Sequence, residues 1–175
     1  LNGNPISGAD SATHTAVSAG SYTVTVTNSN NCSTTSAAYV LTESAPPVAG
    51  ISAICTTLFP GNTSTLTASP ATGVTYSWTL DGGAELSTAN PYITAANAAG
   101  TYQVVVTDIT TGCVASATQV ITNQIGALAG GTSYTIPSSC GFNTIADAVT
   151  YINANGVSGT GNVTFNVTDG YTETA

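Results

Sequence analysis

The ten residues Ala19-Gly20-Ser21-Tyr22-Thr23-Val24-Thr25-Val26-Thr27-Asn28 return 80 positions later as Ala99-Gly100-Thr101-Tyr102-Gln103-Val104-Val105-Val106-Thr107-Asp108. Cys32 and Cys113 follow at a spacing of 81, so the second copy carries one more turn residue. A Ser/Thr/Ala-rich stretch comes after each Cys, at 33–42 and 114–122. Internal similarity of this kind outranks chain length as a guide to domain number. It defines a strand–turn–strand unit that occurs twice.

The second unit reads as complete. Leu66 and Ala68 alternate in a strand predicted over 64–68, and Val74, Tyr76, Trp78 and Leu80 alternate over 74–80. Asp81-Gly82-Gly83 is a turn signal, and a weaker strand follows at 92–95. Tyr102, Val104 and Val106 share one face of the strongest strand in the chain. Short strands with a turn every 8–12 residues describe a β-sandwich. The first unit has no equivalent of the Trp78 strand or of Cys55. Such a sandwich would expose its core face and strand edges. The expectation is that residue 1 is not a natural start, or that another chain completes the sheet by donating strands.

Pro46-Pro47 opens the second unit, and the stretch 123–131 closes it. Beyond it, Asn143 or Thr144 can cap a helix with Ile145, Ala148, Val149 and Ile152 on one face. Gly156 ends that helix. Val163, Phe165 and Val167 then alternate in a strand, and Asp169-Gly170 turns the chain. The expected division is 1–43, a partial repeat; 44–124, a complete one; and 125–175, the start of a further domain.

Composition narrows function. The chain of 175 residues has no Lys or Arg, eight acidic residues and one His, for a formal net charge of −8. About 20 basic residues would be ordinary at this length. Without cations there is no means of neutralising nucleic-acid phosphates or of docking on anionic lipid. Lysine Schiff bases, arginine fingers and P-loop lysines are excluded with them. Hydrophobic residues make up 42%, which is enough for packed cores. No apolar run approaches the ~20 residues that span a bilayer, so membrane insertion is not expected.

The motifs resemble those of surface proteins of Bacteroidetes-type bacteria. The run Gly100-Thr101-Tyr102-Gln103-Val104-Val105-Val106-Thr107-Asp108, with Gly112-Cys113, is similar to the end of their short Ig-like or PKD-like modules. Ile54-Cys55 and Tyr76-Ser77-Trp78 fit the same module. The resemblance covers 48–123 well and 1–43 as a partial copy. Asn155-Gly156-Val157-Ser158-Gly159, then 163–167 and 170–175, are similar to the opening of a right-handed parallel β-helix in the same large proteins.

This resemblance implies an all-β architecture, with tandem Ig-like sandwiches leading into a β-helix behind one short capping helix. It further implies a secreted or cell-surface location through type IX secretion and a role as adhesin. A surface polysaccharide or other extracellular ligand is the implied partner, alongside self-association. The alternatives are an accessory region of a secreted polysaccharide-degrading enzyme, or a subunit of a filament completed by strand donation.

Four Cys allow three pairings, and sequence alone cannot choose among them. Cys55 and Cys113 lie at opposite ends of the complete unit, which makes Cys55–Cys113 the first choice. Cys32 would then pair upstream of Leu1, and Cys140 within the continuation of its own domain. Buried thiols are a less favoured reading, and metal binding is less favoured still, because no C-x-x-C occurs and His14 is the only nitrogen ligand.

No catalytic constellation stands out. His14, in Thr13-His14-Thr15, reads as an ordinary strand residue rather than part of a triad. The acids Asp10, Glu43, Asp81, Glu85, Asp108, Asp147, Asp169 and Glu173 are scattered singly, without the paired carboxylates of a glycosidase. Asp81 and Asp169 read as turn formers, and Asp147 as a helix-start residue. Glu43 and Asp108 are the acids that could contribute to a calcium site between domains, although no calcium-loop spacing occurs. Tyr76, Trp78 and Tyr102 read as core rather than as a sugar-stacking platform. The N-x-S/T sequences at Asn31, Asn62, Asn162 and Asn166 reflect composition. Ser11 in Asp10-Ser11-Ala12 resembles a Bacteroidetes O-glycosylation site. The expectation is a non-enzymatic chain with no cofactor and no metal.

Overall fold

The computed structural model describes residues 1–168, and the chain divides into two compact units, Leu1–Ala45 and Pro46–Ala175. The Asp169-Gly170 turn, Glu173 and the stretch 170–175 lie outside the described residues.

The first unit holds β1 (Gly20–Tyr22), β2 (Thr25–Thr27), β3 (Ser33–Thr35) and β4 (Tyr39–Leu41). β1 pairs antiparallel with β4, and β2 with β3. The two ladders differ in register by one residue, since Gly20 faces Leu41 whereas Thr25 faces Thr35. Ser36 lies at the slip, where its backbone N–H donates to Val24 O and its hydroxyl accepts from Val24 N. The hairpin turn is built by Asn28, whose side-chain oxygen accepts the N–H groups of Asn30 and Cys32. No residue of this unit is buried. The strand expected at Thr13-His14-Thr15 is absent, and that stretch has no regular structure. With four three-residue strands and no buried side chain, local hydrogen bonding must carry this unit.

In the second unit β5 (Gly50–Ala53), β7 (Thr65–Ser69) and β10 (Tyr92–Ile93) form one antiparallel sheet in the order β10-β7-β5. The other sheet runs β6-β12-β11-β8-β9, from β6 (Thr57–Leu58), β8 (Val74–Leu80), β9 (Glu85–Ser87), β11 (Gly100–Asp108) and β12 (Val114–Asn123). All its pairs are antiparallel except β6 with β12. The period-two alternation of these strands brings the apolar residues of both sheets into one core. Leu66 and Ala68 enter from the first sheet; Leu58, Trp78, Tyr102, Val104, Val106 and Ile121 enter from the second. Trp78 is fully buried, donates from Nε1 to Ala89 O at 2.9 Å and stacks on Tyr92. Asn90 extends the β7 ladder with its side chain, accepting from Ala68 N and donating to Ala68 O.

The rest of this unit contains β13 (Leu128–Ala129), β14 (Ser133–Ile136), α1 (Ile145–Asn155), β15 (Val157–Ser158) and β16 (Thr164–Val167). Leu128 lies beside Val157 and Ser133 beside Thr164, both in parallel, so one pass of chain stacks on the pass before it. At the turn between strands the passes come so close that a Cβ on Gly130 would lie 2.8 Å from Gly161 O. Only glycine fits there.

Thr144 caps α1, its hydroxyl accepting from Asp147 N while the Asp147 carboxylate accepts from Thr144 N. This reciprocal pair satisfies two donors that a helix start leaves open. The buried face of α1 is Ala148 and Tyr151, whereas Ile145 and Val149 are exposed. The predicted apolar stripe is therefore rotated, because Tyr151 buries its ring and sends its hydroxyl to Gly126 O. A second core joins Phe59, Leu128, Ile136, Phe142, Ala148 and Tyr151.

Candidate functional site: a cross-linked junction

The chemistry-bearing residues converge where the second unit's two cores meet. Cys55 follows β5, is 2% exposed and belongs to the core between the sheets. It is bonded to Cys140, with the Cα atoms 5.3 Å apart. This corrects the expected Cys55–Cys113 pair and the assignment of Cys140 to a partner further on. Cys113 instead ends the β11–β12 turn, where its carbonyl accepts from Asp108 N. The reason is spatial. Cys140 lies in a loop that folds back onto the strand-connecting segment 54–64, and no repeat pattern records that return.

Three buried polar side chains surround the bond, namely Asn62, Ser64 and Thr94. The Ser64 hydroxyl accepts from Cys55 N at 3.1 Å and donates to Cys55 O at 2.7 Å. Thr94 Oγ1 accepts from Ser64 N, and Thr94 N donates to Ser64 O. Asn62 donates from Nδ2 to Gly141 O and accepts from Asn143 Nδ2 at 2.8 Å. Its backbone donates to Phe59 O and accepts from Asn97 N. Each group is satisfied, as burial requires. Phe59 completes the joint, meeting Phe142 edge-on with ring centroids 4.6 Å apart.

Sequence reading passed over this network and treated Asn62 as a sequon only. A signal for it exists. Residues 62, 64, 66 and 68 are all buried at period two, so Asn62 and Ser64 continue the inward phase of Leu66 and Ala68. Polar residues at inward positions mark a buried network.

The remaining candidates stay apart. Ser11 is exposed, as O-glycosylation would need, and His14 is exposed with its ring 6.4 Å from that of Tyr22. Glu85 accepts from the Ser77 hydroxyl, and Asp81 from Thr101 N. Asp108 caps its turn by accepting from Thr111 N and Thr110 N, and these bonds hold its carboxyl below the usual range. Burial pushes the Tyr102 phenol above its ordinary value, and Tyr92 and Asp81 add to the shift. Among the described residues no three His, Cys, Asp or Glu side chains gather to hold a metal ion. No helix of the described residues is long and apolar enough to cross a membrane.

A groove of about 440 Å³ runs beside α1, lined among others by Pro60, Ile125, Phe142, Asp147 and Tyr151. Its Asp147 and Tyr151 are engaged in the helix cap and with Gly126. What the junction can do is hold, covalently and by hydrogen bonds, two cores in one piece. No family model matches the sequence, and no curated protein matches it.

Proposed function

We propose that this chain is a non-catalytic structural and adhesive stalk segment of a large extracellular bacterial surface protein. The observation that carries this reading is the Cys55–Cys140 bond, which ties the core between the sheets to the core behind α1. A disulfide suits an oxidising, extracellular setting. In the loop-closure picture, a separation of 85 residues is worth about 4–5 kcal/mol. Among the described residues no cluster of His, Cys, Asp or Glu side chains competes with a mechanical role.

On this reading residues 44–124 are an Ig-like module. Support comes from the buried Trp78 and from Tyr102, whose hydroxyl donates to Ala98 O just upstream, as in a tyrosine corner. The stacked parallel passes at 128–167 are then the first coil of a β-helix. Type IX export and a surface polysaccharide partner belong to the same proposal, carried by the resemblance of the motifs.

The test is to stretch single molecules with and without reductant. The oxidised chain should release roughly 280–310 Å less contour length, the span of the 85 positions closed by the bond. Equal release in both states, or hydrolysis of polysaccharide by the purified chain, would sink the reading.

A further inference from the structure

The two copies of the repeat agree in atoms beyond the stretch where their sequences match. Asn2 N donates to Ser21 O at 2.8 Å, and Asn2 Oδ1 accepts from Ser21 N at 2.9 Å. Asp81 N donates to Thr101 O at 2.9 Å, and Asp81 Oδ1 accepts from Thr101 N at 2.8 Å. Asn2 and Asp81 share a positive φ, at 50° and 51°, each followed by a glycine of positive φ. A Cβ on Gly20 would collide with Leu1 Cδ1, and one on Gly100 with Leu80 Cδ1. Tyr22 donates to Ser18 O at 2.7 Å, as Tyr102 donates to Ala98 O at 2.8 Å. Leu1 therefore stands in the first unit where Leu80, the last residue of β8, stands in the second.

In the second unit β8 does two things for β11. It pairs with its edge, Leu80 facing Tyr102, Trp78 facing Val104 and Tyr76 facing Val106. It also helps bury Val104 and Val106, both of which reach zero exposure. The first unit has the same edge and face uncovered. Among the described residues β1 and β2 have strand partners on one side only. Val24 is 58% exposed and Val26 61%.

We infer that the free edge of β1 and β2, with the apolar face of Val24 and Val26, is an acceptor for one antiparallel partner strand laid in the register that β8 takes on β11. The repeat sets its chemistry and register. It carries bulky apolar side chains at alternate positions, in the manner of Val74, Tyr76, Trp78 and Leu80. The residue in the place of Trp78 faces Val24, and the residue in the place of Tyr76 faces Val26. Main-chain bonds supply affinity, and the alternating side chains supply selectivity. A second copy is not the donor, because its own β8 is held between β11 and β9. This inference stands on the repeat alone and does not depend on the stalk reading.

The test extends the full chain at Leu1 with a copy of the sequence of residues 62–79, which contains β7 and most of β8 without Cys55. Amide hydrogen exchange at residues 21–27 is then followed, with protection of the β11 amides confirming that the second unit is folded, since the extension carries a tryptophan of its own. Exchange should slow at least tenfold. Inserting one residue between the extension and Leu1 moves every side chain to the opposite face. That variant, and Val24→Asp in the extended chain, should exchange at the rate of the unextended protein. Equal protection in the in-phase and slipped chains, or none in either, would overturn the assignment. So would protection of the same amides through concentration-dependent dimerisation of the unextended chain, which would make a second copy the occupant.

Discussion

Val24 and Val104 occupy one position of the repeat, yet Val24 is 58% exposed while Val104 is fully buried. The two ten-residue copies share six residues, and both make the same tyrosine bond and the same turn. What differs is the cover: Leu66 and Ala68 of the facing sheet and Trp78 of β8 close the core around Val104, whereas no described element buries Val24. A β-strand fixes which side chains share a face, but the sheet packed across that face and the strand beside it decide whether it is dry.

This contrast predicts unequal truncation costs. Val104→Ala removes two buried methyl groups and should cost about 2–3 kcal/mol, counting transfer and cavity together. Val24→Ala should change stability by less than about 0.5 kcal/mol. Chemical denaturation followed through Trp78, the chain's single Trp, reads the first directly. Exchange of the first unit's amides reads the second.

Breaking the cross-link should be costly. Cys140→Ser is expected to lower the stability of the second unit by about 3–5 kcal/mol, in line with loss of a native disulfide. Calorimetry of the variant and of the reduced protein should agree. Non-reduced peptide mapping should recover Cys55 joined to Cys140, and recovery of Cys55 with Cys113 would contradict the structure.

Asn62 should be more sensitive than any other Asn. Asn62→Ala leaves Gly141 O and Asn143 Nδ2 without their partner, at a cost of about 2–3 kcal/mol. Asn62→Asp should be worse at neutral pH. It places a carboxylate at a 4% exposed position in a chain without Lys or Arg to pair with it. Thermal melts of the two variants at pH 7 test the order.

Asp108 predicts an acid-side dependence. Hydrogen bonds from Thr111 and Thr110 lower its folded pKa below 3.8, so the unfolded chain takes up the proton first as pH falls. Its contribution is fully present above pH 3.8 and is lost as pH drops through the folded value. NMR titration of the carboxyl should give a midpoint below 3.8, and Asp108→Asn should remove this step. Asn28, which caps the same turn in the first unit, has no proton to lose and should show no such step.

The sequence made the strands legible where alternation was strong. The bounds of β8 match their prediction, and β11 and β12 follow the repeat within a residue. Thr144 and Gly156 mark the helix ends as expected. Three features stayed hidden, each for a physical reason. The Cys55–Cys140 contact depends on a loop returning across 85 positions. The α1 face was misplaced because Tyr151 packs as an apolar residue while satisfying its hydroxyl elsewhere. The match of Leu1-Asn2-Gly3 to Leu80-Asp81-Gly82 is short and differs in the middle residue, but Asn and Asp cap the same turn with the same oxygen.

The bond between Cys55 and Cys140 also changes what a broken backbone means. A protease that cuts any peptide bond between those two residues severs the chain without separating the pieces. The nicked halves stay attached through sulfur. A polypeptide with this arrangement can be cut within the stretch that the bond encloses and remain one molecule.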